Sequence, residues 1–335
     1  MDDLTLEITK KCPMSCILCS SEGGEPYSNE FSLSELKDIV DQAKSLGVTQ
    51  ISLSGGEPLT YPYLLEICRY ISDLSVDVFV YTSGNTIGKN NSIYSVSKGY
   101  FLNLKSAGVK EIVFSIHGSN FRIHDKITRK SKSFENLLES IKNAQAIGLK
   151  TSAHFVPIRE NFRDLPAVVS VIKSLGLNSI HILRFVAQGR GSEYRNELTL
   201  LPEEVSELHD ILKRLIDVSD IDITIGAHYN CLGLNGNKRC TAGIKKIIIR
   251  PDGFVFPCVG MKGIKSFFNN NIKSDSLENI IKKSYGFTFL RANFYNCRNN
   301  SCSSCTTECT NSDCIAQLIF ESTIDFKVPF LCRLR

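Results

Sequence analysis

The sequence predicts an α/β fold, a partial (β/α)6 TIM-like barrel with a small C-terminal α+β cysteine-rich domain, on three observations. Strand-like apolar alternation recurs six times in the first 190 residues, and helical periodicity fills the gaps between. Nine of the thirteen cysteines then fall in the last third of the chain.

The predicted strands are 4–9, 50–54, 77–81, 111–116, 150–156 and 179–186, and the helices between them are 32–46, 61–74, 97–107, 134–147 and 165–175. Ser32-Leu-Ser-Glu35 is a capping box at the first helix. Gly47, Gly108, Gly148 and Gly176 each follow a helix, where a left-handed residue ends the coil. Strands separated by helices of this length form parallel βαβ units with right-handed crossovers. In barrels built from such units the chemistry sits at the C-terminal strand ends. The conspicuous motifs all fall there: a cysteine loop after the first strand, Gly55-Gly56-Glu57-Pro58 after the second and Thr82-Ser83-Gly84-Asn85 after the third. Ser115 and His117 end the fourth.

The domain reading assigns residues 1–200 to the partial barrel, 201–226 to a bridging helix and strand, and 227–335 to the cysteine-rich unit. The bridge is a helix over 202–218, with Pro202 in its first turn, and a short strand over 222–225. Beyond it come short strands at 246–250 and 254–257 around the tight turn Pro251-Asp252-Gly253, and a polar loop at 269–271.

A hydrophobic fraction of 42% with 22% charged residues is that of a globular chain with a proper core. No apolar run reaches the roughly 18 residues of a membrane span. The start, MDDLTLEITKK, is unlike the basic-then-apolar opening of a signal peptide. A cytoplasmic protein without a membrane partner is expected, and its cysteines then read as metal ligands rather than disulfides. The formal charge of +4 treats every thiol as neutral. A [4Fe–4S] core carries roughly −1 with three thiolates and roughly −2 with four, so clusters would cancel that excess and a nucleic-acid partner is not expected.

Cys12, Cys16 and Cys19 are spaced C-x3-C-x2-C on one loop. Three thiolates from one loop can bind three irons of a cubane and leave the fourth open, which a substrate-binding cluster needs. A zinc site is the alternative, but it wants a fourth Cys or His nearby and the loop supplies none.

With this loop and the Gly55–Pro58 segment, most of the first 190 residues resemble the radical S-adenosylmethionine (radical SAM) enzymes. The resemblance implies that the open iron is chelated by the amino and carboxylate groups of SAM. Reduction then releases a 5′-deoxyadenosyl radical that takes a hydrogen atom from substrate. It places Gly55, Gly56, Glu57 and Pro58 at the methionine amino group, with glycines for close backbone approach and Glu57 as structural anchor. It makes Ser83 and Asn85 ribose contacts, Ser115 a polar cofactor contact, and Arg129 the partner of the methionine carboxylate. Leu183, in Leu183-Arg184-Phe185, lines the adenine pocket or packs in the core. Where the family usually has an aromatic residue before the third cysteine, this chain has Leu18.

The later cysteines resemble the SPASM extension of some radical SAM enzymes, in Cys240-Thr-Ala-Gly243 and in Pro251-Asp-Gly-Phe-Val-Phe-Pro-Cys258. The resemblance implies two auxiliary [4Fe–4S] clusters, one on Cys231, Cys240, Cys258 and Cys314, the other on Cys302, Cys305, Cys309 and Cys332. Cys231 is set apart by long spacings, and without it the first auxiliary cluster has an open iron. Structural zinc sites are the alternative for this region. Cys68 and Cys297 remain. Cys68 reads as a core thiol, and Cys297 as a spare ligand, a loop thiol or a catalytic hydrogen-atom donor.

Sulfatase-maturing relatives carry Asp directly after the PDGxVxPC cysteine, where this chain has Val259, so that activity is not expected. The expected substrate is a ribosomally synthesised peptide, with a flavodoxin or ferredoxin as electron donor. With the cysteine loop starting at residue 12, a separate leader-binding protein, or the barrel mouth itself, is expected to hold a peptide leader. The runner-up is dehydrogenation or epimerisation of a carbohydrate or other small molecule. From another class, a non-catalytic iron–sulfur or zinc-binding scaffold remains. Arg184, Arg190 and Arg195 are read as facing substrate or solvent.

Overall fold

The first strand shows how the sheet sorts its two faces. In β1 (Asp3–Thr9) the apolar Leu4, Leu6 and Ile8 alternate with Thr5, Glu7 and Thr9, and the apolar three are fully buried. They pack in one core with Leu36, Ile39 and Val40 of α1 (Leu33–Ser45). The polar members therefore line the other, concave face, since successive side chains point to opposite sides.

The computed structural model describes residues 1–88, 92–226, 232, 234, 240–292 and 316. After α1 come β2 (Gln50–Gly55), α2 (Leu64–Asp73), β3 (Asp77–Thr82), the hairpin β4 (Asn85–Ile87) and β5 (Ile93–Ser95), α3 (Lys98–Ser106) and β6 (Val109–Ser115). Then follow α4 (Phe121–Thr128), α5 (Ser133–Gln145), β7 (Lys150–Phe155), α6 (Leu165–Ser174), β8 (Ser179–Ile182), α7 (Arg195–Leu198), α8 (Pro202–Val218) and β9 (Asp222–Ile225). The described chain closes with β10 (Lys246–Ile249), β11 (Val255–Phe256), α9 (Leu277–Lys283) and α10 (Tyr285–Leu290). The main sheet runs β11-β10-β1-β2-β3-β6-β7-β8-β9. Only the β10–β11 pair is antiparallel. The fold is thus the expected α/β partial barrel, open between β9 and β11 among the described residues.

Local signals hold where they were read. Ser32 and Glu35 form the reciprocal capping box, Ser32 Oγ accepting from Glu35 N and Glu35 Oε2 from Ser32 N at 2.8 Å. The four helix-ending glycines all have positive φ. Cys68 is fully buried on α2 in the main core, and burial pushes its thiol up.

Two expectations change. The helix and strand read as a bridge belong to the barrel: α8 buries Leu208, Ile211 and Leu212, and β9 pairs in parallel with β8 as a seventh strand. A strand from the cysteine-rich segment joins the same sheet, because β10 pairs in parallel with β1 through Leu4↔Ile247 and Leu6↔Ile249. Ile247, Ile248 and Ile249 are all buried, as expected of a strand covered on both faces. The β4–β5 hairpin and α4 were not expected. Three-residue strands and an eight-residue helix are too short to show a period, although Asn120 caps α4 through Arg122 N and Ile123 N.

Candidate active site

The cysteine loop leaves β1 and is held by its own return and by α4. Cys12 N donates to Gly24 O at 2.9 Å and Gly24 N to Lys10 O at 3.0 Å. Ser15 N and Ile17 N donate to Thr128 O and Ile127 O, carbonyls at the C-terminal end of α4. Cys12, Cys16 and Cys19 are half-buried. Met14 N donates to Cys12 Sγ and Gly23 N to Cys19 Sγ, each at 3.4 Å. Gly23 is needed there, since a Cβ would stand 2.9 Å from Cys12 Cβ.

The electrostatics of the loop suit a metal cluster. Burial holds the Cys12 thiol well above its ordinary value, with Cys16 and Glu57 adding to the rise. Cys16 is pushed up to about 12 by burial first and then by Cys19, while Arg190 opposes the rise. Buried thiols resisting ionisation at Cys12 and Cys16 call for a cationic partner, and an iron–sulfur core supplies one. A cubane takes each thiolate at a separate iron. The donor set therefore fits a [4Fe–4S] cluster with one iron left open.

The Gly55–Pro58 turn is built against the root of that loop. Gly55 has φ +129°, and a Cβ on it would lie 2.2 Å from Thr9 O. A Cβ on Gly56 would lie 2.3 Å from Lys10 O and 2.4 Å from Lys11 O. Gly56 N and Glu57 N donate to Thr9 O and Lys11 O. The glycines thus first admit the chain's own backbone, a reason beyond approach to a ligand.

Glu57 is 1% exposed and saturated. Its Oε1 accepts from Thr82 Oγ1 at 2.7 Å and from Leu59 N, and its Oε2 from Ser83 N at 2.8 Å and Ser83 Oγ at 2.6 Å. Burial raises its carboxyl despite these donors. Pro58 opens the short turn Pro58–Thr60 that follows. Glu57 therefore locks the end of β2 to the end of β3.

The residues expected at the ribose divide. Ser83 stands at the site, half-buried, with its hydroxyl turned onto Glu57. Asn85 has no exposure. Its Nδ2 donates to Ser83 O and Ser133 O, and its Oδ1 accepts from Asn136. Asn85 thus ties the β3 turn to the start of α5, its amide N–H donors taken by a carbonyl of each.

Ser115 closes β6 beside His154 of β7, Oγ to Nε2 3.1 Å. Register continues this concave row through His181 and Thr224. Burial lowers His154 to about 3, so the imidazole is neutral at pH 7. Arg129 follows α4 with φ +55° and stacks over Tyr194, its Nη2 donating to the Tyr194 hydroxyl at 2.5 Å. Leu183 is half-buried at the end of β8, its N bonded to Phe155 O. Leu18 packs with Ile17, Phe185 and Tyr194 against the buried Ile127, Ile158 and Leu198, so an aliphatic residue fills that place.

Of the second cysteine group the structure describes Cys240 and Cys258, both half-buried. Gly243 N donates to Lys246 O at 2.8 Å and to Pro257 O at 3.0 Å, tying the Cys240–Gly243 turn to the residue before Cys258. Cys231, Cys297, Cys302, Cys305, Cys309, Cys314 and Cys332 lie outside the described residues.

Three side chains not singled out as site residues hold these parts together. Lys262, after Cys258, is 3% exposed and donates to Glu7 and Ser21, both at 2.6 Å. Gln188, after β8, joins Val259 O to Gly263 N. Arg190, expected to face substrate or solvent, instead binds the carbonyls of Cys16 and Gly23. Their partners lie 71 to 255 residues away in sequence, beyond any local signal.

Residues 6–172 match the radical SAM superfamily, and residues 240–306 match SPASM, the iron–sulfur cluster-binding domain. The AdoMet-dependent heme synthase of Methanosarcina barkeri is 26% identical over 308 residues, covering 85% of this chain and 83% of its own length. The mycofactocin maturase MftC of Mycolicibacterium smegmatis is 24% identical over 295 residues, covering 86% of this chain and 72% of its own. Among solved structures, SuiB of Streptococcus suis bound to its precursor peptide SuiA superposes with a TM-score of 0.73 at 16% identity. That superposition covers 95% of this chain and 72% of SuiB, and it supports the fold alone. Together with the three-cysteine loop at the mouth of a partial barrel, these likenesses lead to one conclusion: the chain belongs to the radical SAM superfamily, with a SPASM domain toward its C-terminus, and uses S-adenosylmethionine and [4Fe–4S] clusters.

Proposed function

We propose that this protein makes a radical from SAM at the Cys12–Cys16–Cys19 loop and uses it to modify a ribosomally synthesised peptide. The observation that carries the radical step is convergence: the cysteine loop, the Gly55–Pro58 turn and the Ser83 turn meet at adjacent strand ends, fastened by Glu57. A cluster held there would supply one electron, received from a flavodoxin- or ferredoxin-class donor, and so would allow SAM to be split into methionine and a 5′-deoxyadenosyl radical that takes a substrate hydrogen. The chain's own residues do the rest. Cys12, Cys16 and Cys19 hold three irons, and backbone groups of Gly55–Pro58 receive the methionine ammonium. Arg129, a planar donor, meets the carboxylate, Ser83 and Ser115 offer hydroxyls, and Leu18, Leu183 and Phe185 form the apolar side toward adenine.

Kinship with a maturase, MftC, supports the peptide reading. The auxiliary clusters would take Cys231, Cys240, Cys258 and Cys314, and Cys302, Cys305, Cys309 and Cys332, with Cys297 left as a possible hydrogen donor. Their role is to accept the substrate electron or help bind the peptide. Kinship with a heme synthase favours a second reading, a small-molecule substrate such as a tetrapyrrole.

Anaerobic reconstitution with SAM and dithionite tests the radical step. Formation of 5′-deoxyadenosine with about twelve irons per chain is expected; its absence would return the protein to a non-catalytic scaffold. Transfer of deuterium from a labelled precursor peptide into 5′-deoxyadenosine chooses the peptide, and transfer from a labelled porphyrin instead chooses the second reading.

A further inference from the structure

All four residues Gln188-Gly-Arg-Gly191, on the loop leaving β8, are engaged with other parts of the site. Gln188 holds the turn after Cys258. Gly189, at φ +57°, lies so close to the cysteine loop that a Cβ would stand 2.8 Å from both Cys19 O and Ser20 O. Gly191 N donates to Cys19 O at 3.3 Å. Arg190 spans the loop itself, Nη1 reaching Cys16 O at 3.2 Å and Nη2 reaching Gly23 O at 2.7 Å. Both acceptors are neutral carbonyls, so these bonds leave the guanidinium charge unneutralised. Nη1 holds that charge against the backbone of Cys16.

We propose that Arg190 is a positioning residue that sets how readily the SAM-binding cluster takes its electron, by tying both arms of the cysteine loop and fixing a positive charge beside Cys16. The inference rests on the assignment of that cluster to Cys12, Cys16 and Cys19. One electron from the donor makes a three-thiolate cluster one charge more negative, roughly −1 becoming roughly −2, and the same electron then passes to the SAM sulfonium. A fixed cation stabilises the reduced form more than the oxidised one and raises the midpoint potential. The planar fork gives Arg190 the rigidity to hold that charge in place.

The test is an anaerobic potential titration of the full-length, iron-loaded protein, following the EPR signal that changes when SAM is added. Arg190→Gln removes the charge and keeps a donor; Arg190→Lys keeps the charge and loses the fork. A midpoint lowered in Arg190→Gln but near wild type in Arg190→Lys is expected. An unchanged midpoint in Arg190→Gln at full iron overturns the proposal, and so does an equal fall in both variants. Should Arg190→Gln load less iron, Arg190→Lys decides, because a lowered midpoint in it at full iron also overturns the proposal. Cys16→Ala separates the underlying assignment: loss of about four irons supports it, and undiminished iron overturns the ligand reading itself.

Discussion

The cysteine loop and the Gly55–Pro58 turn lie side by side at the mouth of the barrel and are built in opposite ways. In the loop the backbone is tied to its neighbours, at Gly24, Thr128 and Ile127, while the thiols receive little beyond two long N–H contacts. In the turn the one ionisable side chain, Glu57, is saturated by four donors and the glycines offer only backbone. On the proposed function, one element presents side chains to a metal and the other presents main chain to a ligand. A motif residue is therefore not by that fact a ligand contact. Glu57 holds its turn from behind.

Substitutions that leave one element intact and disable the other test this contrast most sharply. Cys19→Ala is expected to abolish 5′-deoxyadenosine formation and to lower iron by about four per chain. Its circular dichroism is expected to stay near wild type, since a half-buried thiol contributes little packing. Collapse of the secondary structure in this variant would erase the distinction between ligand and support.

Lys262→Met gives the next largest effect, on stability. It leaves the Glu7 carboxylate buried with the Ser21 hydroxyl but without its cation, which costs about 3–5 kcal/mol, whereas the double change Glu7→Gln with Lys262→Met is expected to recover most of that loss. Urea unfolding of the four members of this cycle measures it. Glu57→Ala strands the donors of Thr82, Ser83 and Leu59 and costs about 3 kcal/mol by the usual penalty for unpaired buried groups. Glu57→Gln keeps one acceptor oxygen and costs about half as much. If Glu57→Gln weakened SAM binding without any loss of stability, Glu57 would be a ligand contact after all.

What the sequence disclosed follows the same division. Strands, helices and the cysteine loop were legible because their signals are local: alternation in 4–9, the box Ser32–Glu35, and the C-x3-C-x2-C spacing. Sheet membership was not, since nothing in Ile247-Ile248-Ile249 says that it pairs with β1. The hairpin Asn85–Ser95 and α4 are too short for a period to show. Asn85 is a ribose contact by resemblance alone, and only the packing of α5 shows its amide engaged with Ser133 and Asn136. Arg190 and Lys262 were illegible as supports, because their partners lie 167 and 255 residues away.

Three buried imidazoles, His117 after β6, His124 on α4 and His154 on β7, offer a pH test of how much of the barrel mouth is held by neutral groups. Burial lowers His117, His124 and His154 to about 3 each. Below the ordinary imidazole value near 6.5 the unfolded chain binds protons that the folded chain refuses, so stability rises with pH across the window from about 3 to 6.5. Between pH 6.5 and 5.5 the unfolding free energy is expected to fall by at least about 1 kcal/mol. Anaerobic urea unfolding at the two values measures it, and a flat profile would mean that these imidazoles are not buried neutral.

The smallest expected effect concerns Arg129, the residue whose role depends most on where its side chain rests. It lies over Tyr194, 4.9 Å from guanidinium carbon to ring centre, and donates to the hydroxyl. An exposed stack of this kind contributes about 0.5–1 kcal/mol. If the stack holds the guanidinium ready for the methionine carboxylate, Tyr194→Leu weakens SAM binding by about threefold to fivefold, while Tyr194→Phe, which keeps the ring, loses less. Isothermal titration of SAM into the iron-loaded protein reads both. Equal affinity in wild type and Tyr194→Leu would show that the stack does not prepare Arg129 for SAM.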